Sequence, residues 1–234
     1  MGPVSGAVTG ALAMLAQALG RINAGLLGAG LALGTLCVAV MVGSILIQVV
    51  FRYILGNALA WSEELARFLM LWMTGLMAPW AWRRGGFVGL DMLVMLLPRR
   101  VAAVLWLALL ALVMALLLAA YRIGTNELCG FVARSPLDAL WVPDTGLRFD
   151  LRAVCGIGGL ADLPAALGAF SLAPPDPSGW FKVPRWWMML SFHAGVCLMI
   201  LVTAELMLRA AVTILGGGGR LAPIAPATAA AGAE

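Results

Sequence analysis

Charge is what this sequence most lacks. Only 11% of its 234 residues are Asp, Glu, Lys or Arg, against roughly 25% in a soluble globular chain. With 63% of residues hydrophobic, no soluble core of this size hides the apolar surface. The soluble class is excluded, and a polytopic membrane protein is indicated. Histidine occurs once, at His193. The cysteines Cys37, Cys129, Cys155 and Cys197 are far apart and have no metal-ligand spacing. No Walker-type loop is present: the run Gly216-Gly217-Gly218-Gly219 lacks the Lys-Ser/Thr that must follow, and reads as a linker. No Ser/His/Asp or Cys/His set is recognisable. No catalytic residue, metal ligand or cofactor site is therefore assigned, and a membrane-embedded enzyme is the least supported class. There is also no internal repeat of the kind that builds a secondary transporter's mid-membrane site, so the chain alone is not expected to be a complete pump. The net charge of +4 does not indicate nucleic acid. The basic residues stand at the ends of apolar runs, as membrane orientation requires.

Four long apolar runs are present. The first covers residues 22–51, between Arg21 and Arg52, without a charge inside. As a helix it reaches roughly 45 Å at 1.5 Å per residue, against a hydrocarbon core of about 30 Å, so it tilts or projects. The second covers residues 65–82, with Arg67 in its first turn and Trp72, Trp80 and Trp82 along it. The third, residues 101–121, is bounded by Arg99-Arg100 and Tyr121-Arg122. The fourth, residues 186–208, opens on Trp186-Trp187; near its end Glu205 and Arg209 are spaced for an i, i+4 pair. A lone His193 within it reads as a packed side chain before it reads as a functional one. The expected fold is an all-α integral membrane protein of four transmembrane helices, with interfacial helical segments and a long external loop between the third and fourth. Residues 3–20 are apolar and uncharged. They read as an interfacial helix or a loose tail, with a fifth span as the alternative.

The second connection holds Arg83, Arg84, Arg99 and Arg100 against Asp91 alone. Short basic loops stay cytoplasmic. Both termini and this connection are therefore expected in the cytoplasm, and the first and third connections outside it. The organisation expected is an N-terminal segment 1–21, three spans within 22–122 with a charged connection at 52–67, an external loop 123–185, a fourth span 186–209, and a flexible tail 210–234. The stretch 122–185 has six basic and six acidic residues and is rich in Gly and Pro, which indicates loops with short elements. Cys37 and Cys197 fall inside spans. Cys129 and Cys155 both fall on the external, oxidising side and are a candidate disulfide. It would be worth roughly 3–4 kcal/mol in the chain-entropy account.

The first connection reads Phe51-Arg52-Tyr53-Ile54-Leu55-Gly56-Asn57-Ala58-Leu59-Ala60-Trp61-Ser62-Glu63-Glu64-Leu65-Ala66-Arg67. Ser62 is placed to cap the second helix, Glu63 and Glu64 suit the positive end of its dipole, and Glu63 can pair with Arg67 at i, i+4. Arg52 then has Glu64 as its nearest candidate partner. Tyr53 and Trp61 have the amphipathic rings of an interface. A capped helix start at a membrane surface accounts for much of this pattern. A wider pattern goes further. Arg52-Tyr53, Trp61-x-Glu63-Glu64-x-x-Arg67, Gly75, Arg83-Arg84-Gly85, Asp91 and Leu97-Pro98, followed by Pro184 and Trp186 at the fourth span, resembles the small membrane subunit of tripartite ATP-independent periplasmic (TRAP) transporters, the DctQ-like family. That resemblance implies a non-catalytic scaffold in the bacterial inner membrane. Its partners would be a large multi-span permease subunit and a periplasmic solute-binding protein, in an ion-gradient-driven importer of organic acids. It makes Arg52, Tyr53, Trp61, Glu63, Glu64, Arg67, Arg83, Arg84 and Asp91 candidate structural or subunit-contact residues. The chain departs from the pattern twice: no histidine stands between Arg84 and Asp91, and the external loop is long. The alternative is a self-contained small oligomeric transporter or channel, for whose polar path Asn23, Gln48 and His193 are thin material.

Overall fold

The computed structural model describes residues 3–84, 99–130, 135–144, 147–149, 170–172 and 179–215. Within them are four α-helices: α1 (Pro3–Tyr53), α2 (Ala60–Arg83), α3 (Arg99–Cys129) and α4 (Trp186–Ile214). Four strands lie between α3 and α4: β1 (Pro136–Pro143), β2 (Leu147–Phe149), β3 (Phe170–Leu172) and β4 (Trp180–Pro184). The protein is thus mostly helical, and α1, α3 and α4 are each long and apolar enough to cross a membrane. The second expected span is α2, which is not among those three. Its length of 24 residues is ample, but Arg67, Trp72, Pro79, Trp80 and Trp82 dilute its apolar character.

Helix α1 corrects the expected boundary at residue 21. It runs unbroken for 51 residues, about 76 Å at 1.5 Å per residue. Pro3 stands at its first position, where the missing N–H costs nothing. No later proline interrupts it. Thr9, Ala13, Ala16, Gly20, Asn23, Leu27, Gly30 and Gly34 are buried, at alternating steps of four and three; Ser44 continues the series. That 3.5-residue period belongs to left-handed helix packing. Apart from Leu27 the buried seam is small or polar, while Leu33, Leu36, Ile45, Leu46 and Ile47 are exposed. This inverts the soluble rule. Lipid offers no hydrophobic drive between helices, so close approach of small residues supplies the packing. α3 likewise passes the expected end near residue 122 and continues to Cys129.

The expectation of an all-α chain fails in the loop. β1 and β4 pair antiparallel, with Trp141 opposite Lys182, Val142 opposite Phe181 and Pro143 opposite Trp180. β2 and β3 pair antiparallel with Leu147 opposite Leu172. Trp, Phe and Val favour a pleated, half-buried surface. Pro136, Pro143 and Pro184 stand at strand ends, where a two-stranded ladder tolerates them.

The chain divides into two compact units. The first comprises Met1–Leu36, Met73–Tyr121 and Ala194–Glu234. Its helices approach closely at Gly75 of α2 and Gly195 of α4. Pro79 cannot donate to the Gly75 carbonyl one turn back, and the Gly195 backbone packs there instead. A β-carbon on residue 195 would stand 2.8 Å from the Gly75 oxygen and 2.9 Å from its Cα. The second unit comprises Cys37–Trp72 and Arg122–His193. Its core is Leu137, Leu140 and Val183 of the ladder, packed on Leu65, Phe68, Trp187 and Met188.

Gly195→Ala should therefore lower stability by about 1–3 kcal/mol through overpacking against backbone. Gly25→Ala, where nothing lies within 4 Å, should be neutral or stabilising. Thermal unfolding of the two variants in detergent checks the contrast.

Candidate functional site

Among the described residues two groups of charged side chains stand out, one in each unit. In the first unit Glu205, fully buried on α4, is the centre. Arg83, the last residue of α2, grips its carboxylate with both ends of the guanidinium. Nε donates to Oε2 at 2.9 Å and Nη2 to Oε1 at 2.8 Å. Arg209 donates from Nε to Oε1 at 2.9 Å, the i, i+4 pair expected from spacing. Asn23 of α1 is 1% exposed; its amide donates to Oε2 at 2.8 Å and to the Leu201 carbonyl at 3.3 Å. Arg83 Nη2 also donates to the Gly20 carbonyl of α1 at 2.9 Å. Gly20 is needed there, since a β-carbon would stand 2.9 Å from Arg209 Nη2 and from Glu205 Oε1. Beside this cluster Trp82 Nε1 donates to Thr203 Oγ1 at 3.2 Å, and Arg84 lies 4.5 Å over the Trp80 ring.

A lone carboxylate at this depth would cost several kcal/mol; two guanidinium groups and an amide offset that cost. Sequence reasoning found the Glu205–Arg209 pair, named Arg83 a candidate and noted Asn23 as polar, but it did not join the three. The signal was available. A span that carries an acid must find a base for it, and Arg83 ends the one neighbouring helix rich enough in charge. Asp91 lies outside the described residues, so its expected place near Arg83 and Arg84 receives no structural account.

In the second unit the α1–α2 connection turns on Gly56, φ 65°, which lets the Asn57 N–H reach the Phe51 carbonyl at 3.0 Å. Arg52 is exposed in the last turn of α1, where the helix dipole favours it. Tyr53 is 78% and Trp61 39% exposed. Glu63 and Arg67 form the expected i, i+4 ion pair on the surface. Two expectations change. α2 begins at Ala60, so Ser62 is not its N-cap. Its hydroxyl instead donates to the Leu59 carbonyl at 3.0 Å, and Ser44 Oγ donates to the Ser62 carbonyl at 3.4 Å. Nor does Glu64 pair with Arg52. Its carboxylate crosses to the loop and accepts from the backbone N–H groups of Asp138 (3.2 Å) and Ala139 (2.8 Å). The ladder register shifts between Pro136 and Trp141. A bulge of that kind leaves donors off the ladder, and Glu64 takes two of them.

Cys37 and Cys197 are free thiols. Cys129 is disulfide-bonded, and Cys155 lies outside the described residues. His193 packs against α3 beside Gly124. Among the described residues no group of three His, Cys, Asp or Glu could hold a metal ion. The Glu205 cluster is saturated with internal partners and acts as a clamp between helices, and Glu64 alone plays that part in the second unit.

Glu205→Gln should destabilise the protein by about 3–5 kcal/mol, because it leaves buried guanidinium unpaired. Glu63→Gln, at an exposed pair, should change stability by less than about 1 kcal/mol. Detergent-phase melting of both variants measures the difference. Glu64→Ala should leave helix content intact and raise hydrogen exchange at Asp138 and Ala139 at least several-fold, as read by mass spectrometry.

No curated protein and no solved structure matches the chain. Residues 41–135, from the last turns of α1 to just past α3, match the family described as "Tripartite ATP-independent periplasmic transporters, DctQ component", and over that segment the chain is similar to that family.

Proposed function

We propose that the chain is the non-catalytic scaffold of a TRAP importer for organic acids in the bacterial inner membrane. It braces a large permease subunit that carries the transport path, and a periplasmic solute-binding protein delivers the solute. The observation that supports this reading best is the Glu205 cluster. Arg83, Glu205 and Arg209 are tied up with Asn23 in one buried network between α1, α2 and α4. A transport path needs polar groups free to bind and release a solute; a brace needs groups locked together. In this reading α2 is a fourth span, its tryptophans serving as interfacial and seam residues. Both termini and Arg83, Arg84 and Asp91 face the cytoplasm. The Arg52–Arg67 connection and the β-strand loop face the periplasm, where Cys129 bonds to Cys155. The loop begins where α3 ends at Cys129 rather than at 122, α4 runs on past 209 to Ile214, and the chain after it lies in the cytoplasm. Arg52, Tyr53, Trp61, Glu63 and Arg67 are exposed in the connection and offer a contact surface to the other subunits.

The test is co-expression with a large permease subunit and a binding protein encoded beside it. The tagged chain should bring down the permease, and organic-acid uptake in proteoliposomes should require all three. The double variant Glu63→Gln/Glu64→Gln should reduce recovery of the complex or uptake several-fold. Uptake by the purified chain alone would overturn the scaffold reading in favour of a self-contained transporter.

A further inference from the structure

The β1–β4 ladder has two unlike faces. Inward, Leu140, Val142, Phe181 and Val183 close over the helices; Phe181 meets Trp187 edge to face at 6.1 Å. Outward stand Trp141, Pro143, Trp180 and Lys182, brought together by the register that sets Trp141 opposite Lys182 and Pro143 opposite Trp180. Trp141 and Trp180 are each 52% exposed. Lys182, the chain's one lysine, holds its ammonium 5.1 Å from the centre of the Trp141 ring.

Where the ladder sits follows from what it touches. It packs on Leu65 and Phe68, in the second and third turns of α2, and on Trp187 and Met188, the first turn of α4. Glu64 fixes it at the same level. The ladder therefore lies against the flanks of these helices rather than above their tips, and its outward face looks sideways. It cannot move far from the bilayer, because Arg185 alone separates β4 from α4. Nor can it sink into hydrocarbon, since among the described residues the ladder has two strands, and edge N–H and C=O groups that Glu64 does not meet need water or headgroups. Those limits leave the headgroup level. There an indole pair with an adjacent ammonium is the chemistry that lipid favours: rings at the boundary, a cation toward phosphate.

We propose that the Trp141–Trp180–Lys182 face of the β1–β4 ladder is a membrane-interface anchor, seated in lipid headgroups with its two indoles at the acyl boundary. The lipid surface is continuous with the exposed apolar flanks of the spans, and Lys182 complements the phosphates. The anchor requires only that the chain crosses a membrane, and it stands apart from which transporter the chain serves.

The experiment uses the full chain in nanodiscs of phosphatidylcholine and phosphatidylglycerol. Cys37 and Cys197 are replaced by Ser, and nitroxides are placed at Trp141→Cys and Trp180→Cys, with Leu112→Cys of α3 as the in-span reference. Power-saturation with oxygen and a water-soluble nickel complex should place both ladder labels roughly 5–10 Å inside the headgroup boundary, shallower than the label at 112. Strong nickel relaxation at 141 and 180 would put the face in water and overturn the proposal. Protection from both reagents would overturn it too, because protein would then cover the face: a second copy if seen in the chain alone, another subunit if seen only on its addition. A variant without new cysteines guards against misfolding. Trp141→Phe/Trp180→Phe should lose much of the fluorescence that lipids brominated near the headgroup quench in the native chain; an unchanged quenchable signal would count against the anchor.

Discussion

One carboxylate organises the helices of the first unit. Glu205 is buried without access to water, and every oxygen lone pair it offers must be met from within the protein. Arg83 comes from the end of α2, Asn23 from the seam of α1, and Arg209 from the next turn of α4. Each donor fixes a different degree of freedom. The bidentate Arg83 contact sets the rotation of α2 about its axis, because a planar guanidinium meets a planar carboxylate in few orientations. Asn23 sets the register of α1, since one residue of slip would remove it from the seam. Gly20 follows as a consequence, being the one residue that leaves room for the two guanidinium groups at its surface.

The need for such a device comes from the solvent. In water, apolar stripes would choose the faces of these helices. In lipid the large side chains of α1 have no preference between neighbours and bilayer, and they remain outside. What is left to specify packing is shape and polarity: glycines that permit contact at Gly75–Gly195, and polar groups that have few alternatives to each other. The same division governs the second unit. The Glu63–Arg67 pair is solvated and holds little, whereas Glu64 satisfies backbone donors that a bulged ladder cannot pair itself.

This also explains which features could be read from sequence. Three spans were legible because apolar runs without charge have a single interpretation at that length. The charged connection and the pairs Glu63–Arg67 and Glu205–Arg209 were legible because i, i+4 spacing is local. The continuity of α1 was not: an uncharged segment before Arg21 fits a tail as well as a helix, and nothing local shows that Ala13, Ala16 and Gly20 share a seam with Gly30 and Gly34. Ser62 was misread because its residue type suits a cap, while the helix had begun at Ala60. The strands escaped notice because Pro136–Pro143 is too short and too broken by proline to signal itself without its partner Trp180–Pro184.

The long-range contacts that sequence could not reveal share one property. Arg83–Glu205, Asn23–Glu205 and Glu64–Ala139 each join residues separated by many turns or by a whole loop. Each also uses a polar group that local rules had already given a plausible use. Glu64 suited a helix dipole, Arg83 a positive-inside loop, and Asn23 a stray polar residue in a span. In a chain with so few charges, a polar group that satisfies a local rule is still available for a distant partner. Scarcity is therefore the better guide: where charge is 11% of the sequence, each acid near a span implies donors that must reach it, and those contacts tie the elements together.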